Sequence, residues 1–185
     1  MPAAVSKIGA KRQRECQKPH ALIRLKRSGL VASLARPGAN VTGLSMMLAN
    51  FSAKRLQPLK GVLPQATRVA VLSNPTVPWH AKVIEELKAA APSRSIELSF
   101  AGARTPEEIG PAFSAVNRTR AQALFVIEDP LFLVRRTTFS TLASNARLPT
   151  MYGNRRYVDA GGLMSYGPSY GDLFRRSARR FARVE

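Results

Sequence analysis

The chain has 185 residues, enough for one domain with a sizeable core. Its 45% hydrophobic and 22% charged residues are ordinary values for a folded protein, and the lone cysteine, Cys16, excludes an internal disulfide and a cysteine-rich metal site. The formal charge of +18 sits largely at the ends: residues 1–30 carry eight Lys or Arg against Glu15, and residues 173–185 carry five Arg against Glu185, so the centre is only mildly basic. No run reaches the roughly 18 apolar residues of a membrane span, and the start lacks the apolar region of a secretory signal.

Residues 1–28 read as a basic, poorly ordered leader with no sustained period. Leu30, Val31 and Leu34 suit a short helix ended by Pro37-Gly38, and residues 41–45 a short strand. Ser52 is a plausible N-cap for a helix to about Leu63, with Leu56, Leu59 and Leu63 on one face. Pro58 removes the bond to the carbonyl of Lys54, so that helix is expected to be kinked or weakened there.

Candidate strands then begin near Arg68, Ile96, Ala123 and Leu148, at the spacing of strand-helix units. Between them, residues 82–91 place Val83, Ile84, Leu87 and Ala90 on one stripe, and residues 107–119 do so with Ile109, Ala112, Phe113 and Val116. Thr105-Pro106-Glu107-Glu108 has the form of a capping box with proline at the first helical position, and Pro111 is expected to bend the helix beyond it. Residues 123–127 are continuously apolar, as a central strand buried on both faces requires, whereas Ile96, Leu98 and Phe100 alternate with Glu97 and Ser99 as in a strand nearer an edge. The fold class is therefore α/β, with an open, mostly parallel sheet flanked by helices.

In such sheets ligands bind beyond the carboxyl ends of the strands. Three corners qualify: Ser73-Asn74-Pro75-Thr76, Glu128-Asp129-Pro130 and Tyr152-Gly153-Asn154. Their amide, hydroxyl, carboxylate and phenol groups can hydrogen-bond a small polar solute, yet Asn, Asp, Pro and Gly are also the ordinary material of turns. Asp129 before Pro130 also suits the start of a helix, and the two roles are compatible. Chemistry is less well supported. His80, beside Trp79, reads as a surface or packing residue, Glu85-Glu86 and Glu107-Glu108 as solvated helix faces, and no nucleophile-elbow, phosphate-loop or zinc spacing appears. No catalytic residue, metal ligand or cofactor is assigned.

Several strings carry a resemblance: GLVASLARPG at 29–38, NVTG at 40–43, KRL at 54–56, VAVL at 69–72 with Asn74-Pro75, Leu148-Pro149 with MYG at 151–153, and AGGLMSYGP at 160–168. Together they resemble the ABC transporter substrate-binding protein family of the tryptophan-binding type. The resemblance implies one lobe of a periplasmic-binding-protein-like (type I) fold that closes on a solute. It implies that residues 29–44 are a remnant of lobe one and the hinge, 45–164 are lobe two, and 165–185 are a return segment with a truncated C-terminal helix. Ligand contacts carry over to Ser73, Asn74, Thr76, Asp129 and Tyr152. Ser73 stands where the family commonly has tryptophan.

The expected function is thus the solute-binding component of an ABC importer, taking an amino acid or similar small molecule, with most of lobe one missing and affinity reduced accordingly. The implied partners are the solute and a membrane permease, with self-association through the open cleft face as a further possibility. The implied location is periplasmic or extracytoplasmic, or cytoplasmic if the chain is made as written. The alternative is a basic cytoplasmic protein binding nucleic acid through its termini; those termini lack aromatic residues for stacking bases, and no nucleic-acid partner is expected.

Overall fold

The computed structural model describes residues 48–181; the expected short helix and strand before Ser45 and the basic leader lie outside them. The chain divides into a compact unit spanning Leu48–Ser169 and a second unit to which Tyr170–Phe181 belongs. The first unit runs α1 (Leu48–Val62), β1 (Arg68–Ser73), α2 (Pro78–Ala90), β2 (Glu97–Gly102), α3 (Ile109–Arg118), β3 (Ala123–Val126), α4 (Pro130–Val134), α5 (Arg136–Asn145), β4 (Thr150–Tyr152), α6 (Arg155–Val158) and β5 (Met164–Ser165). In the second unit, Tyr170–Phe181 forms helix α7, with Asp172 in its first turn paired to Arg175.

The five strands form one sheet in the order β2-β1-β3-β4-β5, and every neighbouring pair is parallel. Strand alternation sorts the core into two layers. Val69 and Val71 of β1, with Ala123, Phe125 and Ile127 around β3, pack on Leu56 and Leu59 of α1 and Val83 and Leu87 of α2. Ala70, Leu72, Leu124 and Val126 point the other way, onto Ile109, Phe113, Phe132, Phe139 and Tyr157. Helices thus cover both faces, as the unbroken apolar run in β3 requires. β3 lies at the centre and is fully buried, and β2 lies at an edge.

Local details differ from the sequence reading. α1 starts at Leu48, so Ser52 is a buried residue inside the helix instead of its cap. The helix also runs through Pro58 without a break. Lys54 is exposed, so water can take the carbonyl that the proline leaves, and burial of Leu56 and Leu59 holds the helix on the sheet.

α2 begins four residues earlier than the stripe at 82–91 suggests, because Pro78 starts its first turn. The expected capping box is displaced: the Glu108 carboxylate accepts from the Arg104 N–H, and Pro106–Glu108 forms a short 3-10 turn before α3. Pro111 then falls in the first turn of α3, where an N–H is not needed. Phe100 on the edge strand is exposed, under the Lys88 ammonium at 5.5 Å from the ring centre. β5 is only two residues long and carries no periodic signal of its own.

Candidate functional site

The sheet order places a topological switch point between β1 and β3: the chain leaves β1 toward β2 on one side and continues from β3 toward β4 on the other. Connections diverge there, the kind of place where open parallel sheets bind ligands. Asn74 follows β1 and Asp129 closely follows β3, so both stand at that point.

Their side chains meet. Asn74 Nδ2 donates to Asp129 Oδ2 at 3.3 Å. Asn74 Oδ1 accepts from the Thr76 N–H at 3.1 Å and the Thr76 hydroxyl at 2.7 Å, an Asx turn that fixes the loop after β1. Asp129 is the N-cap of α4, its Oδ1 accepting from the Leu131 N–H at 2.8 Å, which leaves Oδ2 turned to Asn74. Ser73, Asn74 and Asp129 are buried polar residues and Thr76 is exposed. Four of the residues expected at the site therefore belong to two adjoining corners.

Tyr152 is placed elsewhere. Its ring is fully buried in the layer under α3 and α5, stacked on Tyr157 with centres 4.3 Å apart and planes 9° apart. Burial pushes its phenol up to about 12, with the Thr150 and Ser140 hydroxyls acting in the opposite direction. The third corner instead contributes the main chain of Gly153 and the side chain of Asn154, whose Oδ1 accepts from Arg156 N–H at 3.0 Å.

Two rim residues escaped sequence reasoning. Arg55, on α1, is 1% exposed. Its Nε donates to the Tyr166 carbonyl at 2.7 Å, and a terminal nitrogen lies 3.6 Å from Glu128 Oε2. A Cβ on Gly153 would overlap the guanidinium, and one on Gly167 would collide with the Gly153 carbonyl, so these glycines are what admit the arginine between β3, β4 and β5. The only trace in the sequence is the KRL string. His80 is also buried, between the first two corners. Its Nδ1 accepts from the Asn74 N–H at 2.9 Å, while Nε2 lies 3.1 Å from the Glu128 carbonyl and 3.8 Å from Asp129 Oδ2. Its helix begins earlier than the apolar stripe, which hid this position.

Next to the β1 corner, Ser73, Pro75, Gly102, Arg104, Glu108 and Pro111 help line an open hollow of about 570 Å³ between the ends of β1 and β2 and α3. Among the described residues no group of three or more His, Cys, Asp or Glu is placed to hold a metal ion, and no helix is long and apolar enough to cross a membrane.

Comparison with known proteins bears on the fold and the family. A tyrosine-binding protein of Clostridioides difficile (strain R20291) is 29% identical over 147 residues, covering 79% of this chain and 41% of its own length. An ABC domain solved in complex with L-Trp from Streptococcus pneumonia superposes with a TM-score of 0.70 at 22% identity, over 85% of this chain and 52% of that one. A conserved domain protein of Vibrio cholerae gives 0.69 at 24% identity, with the same coverage of 85% and 52%. A ligand-free, open substrate-binding protein with adhesive properties from Clostridium difficile gives 0.65 at 23% identity, over 86% and 53%. The chain thus spans about half the length of these structures. Residues 25–184 match the ABC transporter substrate binding protein family, and the chain belongs to that family.

Proposed function

We propose that Leu48–Ser169 forms one wall of a cleft that binds an amino acid, and that the protein delivers this solute to the permease of an ABC importer outside the cytoplasmic membrane. The reading rests on one observation above the rest: the Asn74–Asp129 pair stands at the switch point of an all-parallel sheet. Asp129 Oδ2 has capacity beyond the single bond from Asn74 and suits the ammonium of an amino acid, while the Ser73 hydroxyl can donate to its carboxylate and the Thr76 hydroxyl, which already donates to Asn74 Oδ1, can only accept. Gly153 and Asn154 extend the rim, and Tyr152 supports that corner by packing.

The same geometry favours binding over catalysis. His80, the nearest base, has both ring nitrogens engaged by main-chain groups, which leaves neither for a reacting proton. The relatives are named for binding tyrosine and for a complex with L-Trp, so aromatic amino acids are the first solutes to try.

The test is calorimetry with L-tyrosine and L-tryptophan on the wild-type chain and on Asp129→Asn. Asparagine can keep the cap on α4 through Oδ1, but it removes the charge and replaces the Oδ2 acceptor with an amide that only donates. Loss of a charged hydrogen bond costs about 1.5–3 kcal/mol, hence affinity should fall at least about tenfold. Equal affinity in the two proteins would remove Asp129 from the site.

A further inference from the structure

His80 occupies a position that the solute reading does not itself require, and its hydrogen bonds fix its state. The Asn74 N–H can only donate, so the Nδ1 that it reaches at 2.9 Å carries no proton. The proton is therefore on Nε2, which donates to the Glu128 carbonyl at 3.1 Å. One neutral ring thus spans the two corners that flank the switch point. Trp79 packs edge-on against it at 4.4 Å between centres, restricting its rotation.

We propose that neutral His80 is a positioning residue for the solute site: it sets the spacing of the Asn74 and Glu128–Asp129 corners, and its protonation uncouples them. The proposal rests on the solute reading above, since it concerns how that site is held in shape. A proton on Nδ1 removes the acceptor of the Asn74 N–H and leaves that buried donor without a partner. It also places a cation 3.8 Å from Asp129 Oδ2, competing with Asn74 Nδ2 for the same oxygen. Both effects act on the pair that faces the solute.

The charged groups around the ring act in known directions. Asp129 favours the cation, while the Glu128 carboxylate is directed to Arg55 of α1, 3.6 Å away. Lys82, on the ring's own helix, is exposed. Burial outweighs Asp129 and the Glu128 carbonyl and holds the imidazole below its ordinary 6.5, so the staple is intact at neutral pH. Because the unfolded chain takes up this proton first, the stability supplied by neutral His80 is present above pH 6.5 and lost as pH falls through the lower folded-state value. Solute affinity should decline over the same acid range.

Two measurements on the full chain test this. The first needs no solute: ¹⁵N spectra of the imidazole across pH should show a single proton on Nε2 at neutral pH, and the Asn74 and Asp129 amide signals should move with the His80 midpoint. A proton on Nδ1, or corner signals indifferent to the titration, would overturn the proposal.

The second titrates L-tyrosine and L-tryptophan into wild type, His80→Leu and His80→Asn at neutral pH and on the acid side of the His80 midpoint found in the first measurement. His80→Leu should lose about tenfold in affinity at neutral pH together with the acid dependence, as expected for one lost hydrogen-bonded staple. His80→Asn, whose Oδ1 can replace Nδ1 as acceptor for Asn74 but which cannot reach the Glu128 carbonyl, should recover part of the neutral affinity without the acid dependence. Unchanged affinity in His80→Leu would overturn the positioning role. If wild type binds neither amino acid, the solute reading fails, while the first measurement still decides the state of the staple.

Discussion

Replacing Arg55 with methionine removes a buried cation from the place where β3, β4 and β5 end. Its Nε bond to the Tyr166 carbonyl, at 2.7 Å, is charge-assisted and contributes about 1.5–3 kcal/mol. The Glu128 carboxylate loses this contact as well. Breaking a fully buried pair costs about 3–5 kcal/mol, but Glu128 is 12% exposed and the contact is 3.6 Å, so solvent recovers part of that. A total near 3 kcal/mol follows, which for a chain of this size lowers Tm by about 6–12 °C.

Thermal melts of wild type, Arg55→Met, Gly153→Ala and the double variant give the assay. The Cβ added at Gly153 overlaps the guanidinium and should be costly in wild type. Methionine removes those atoms, so the same glycine substitution should be milder in that background, with a coupling of about 1 kcal/mol or more. Additive effects, or an Arg55→Met variant that melts with wild type, would refute the placement of Arg55.

Other expectations follow from the same packing. Phe125→Ala, at a fully buried position in the central strand, should cost about 3–5 kcal/mol in urea unfolding, because it opens a cavity between the sheet and α1 and α2. Tyr152 has a folded-state pKa raised from 10.0 to about 12, so its contribution is full below pH 10 and fades as pH rises through about 12. Tyr152→Phe should remove one late-titrating phenol from the tyrosinate absorbance and flatten the alkaline loss of stability. Gly162→Ala should destabilise on melting, since its Cβ would sit 2.7 Å from Tyr152 Cε2 and 2.8 Å from the Tyr157 carbonyl oxygen.

The layered fold is legible in the sequence because each layer has its own signal. The run at 123–127 suits a strand covered on both faces, and the stripes on α2 and α3 suit packing against a sheet. The placement of Asn74 and Asp129 beyond the carboxyl ends of neighbouring parallel strands is legible without coordinates, because strand order and turn residues mark those corners.

Arg55 and His80 were hidden for a different reason. A basic residue after Lys54 on an amphipathic helix has every local reason to face solvent. Only the close approach of Gly153 and Gly167, distant in sequence, makes room for it. His80 reads as a surface or packing residue, and only the earlier helix start at Pro78, which buries the ring, decides between the two. Tyr152 was assigned to the rim by its place after Leu148. Pairing of Tyr152 with Ser165, on a strand too short to announce itself, keeps it within the ladder and its ring in the core.

The solute site at the switch point is tested most directly by amide chemical-shift mapping of the ¹⁵N-labelled chain during titration with L-tyrosine and L-tryptophan. Saturable shifts should centre on Asn74, Thr76 and Asp129, with smaller ones at Gly153 and Asn154. Saturable shifts centred instead on Phe100, Gly102 and Ala115, which line the neighbouring hollow, would contradict the account.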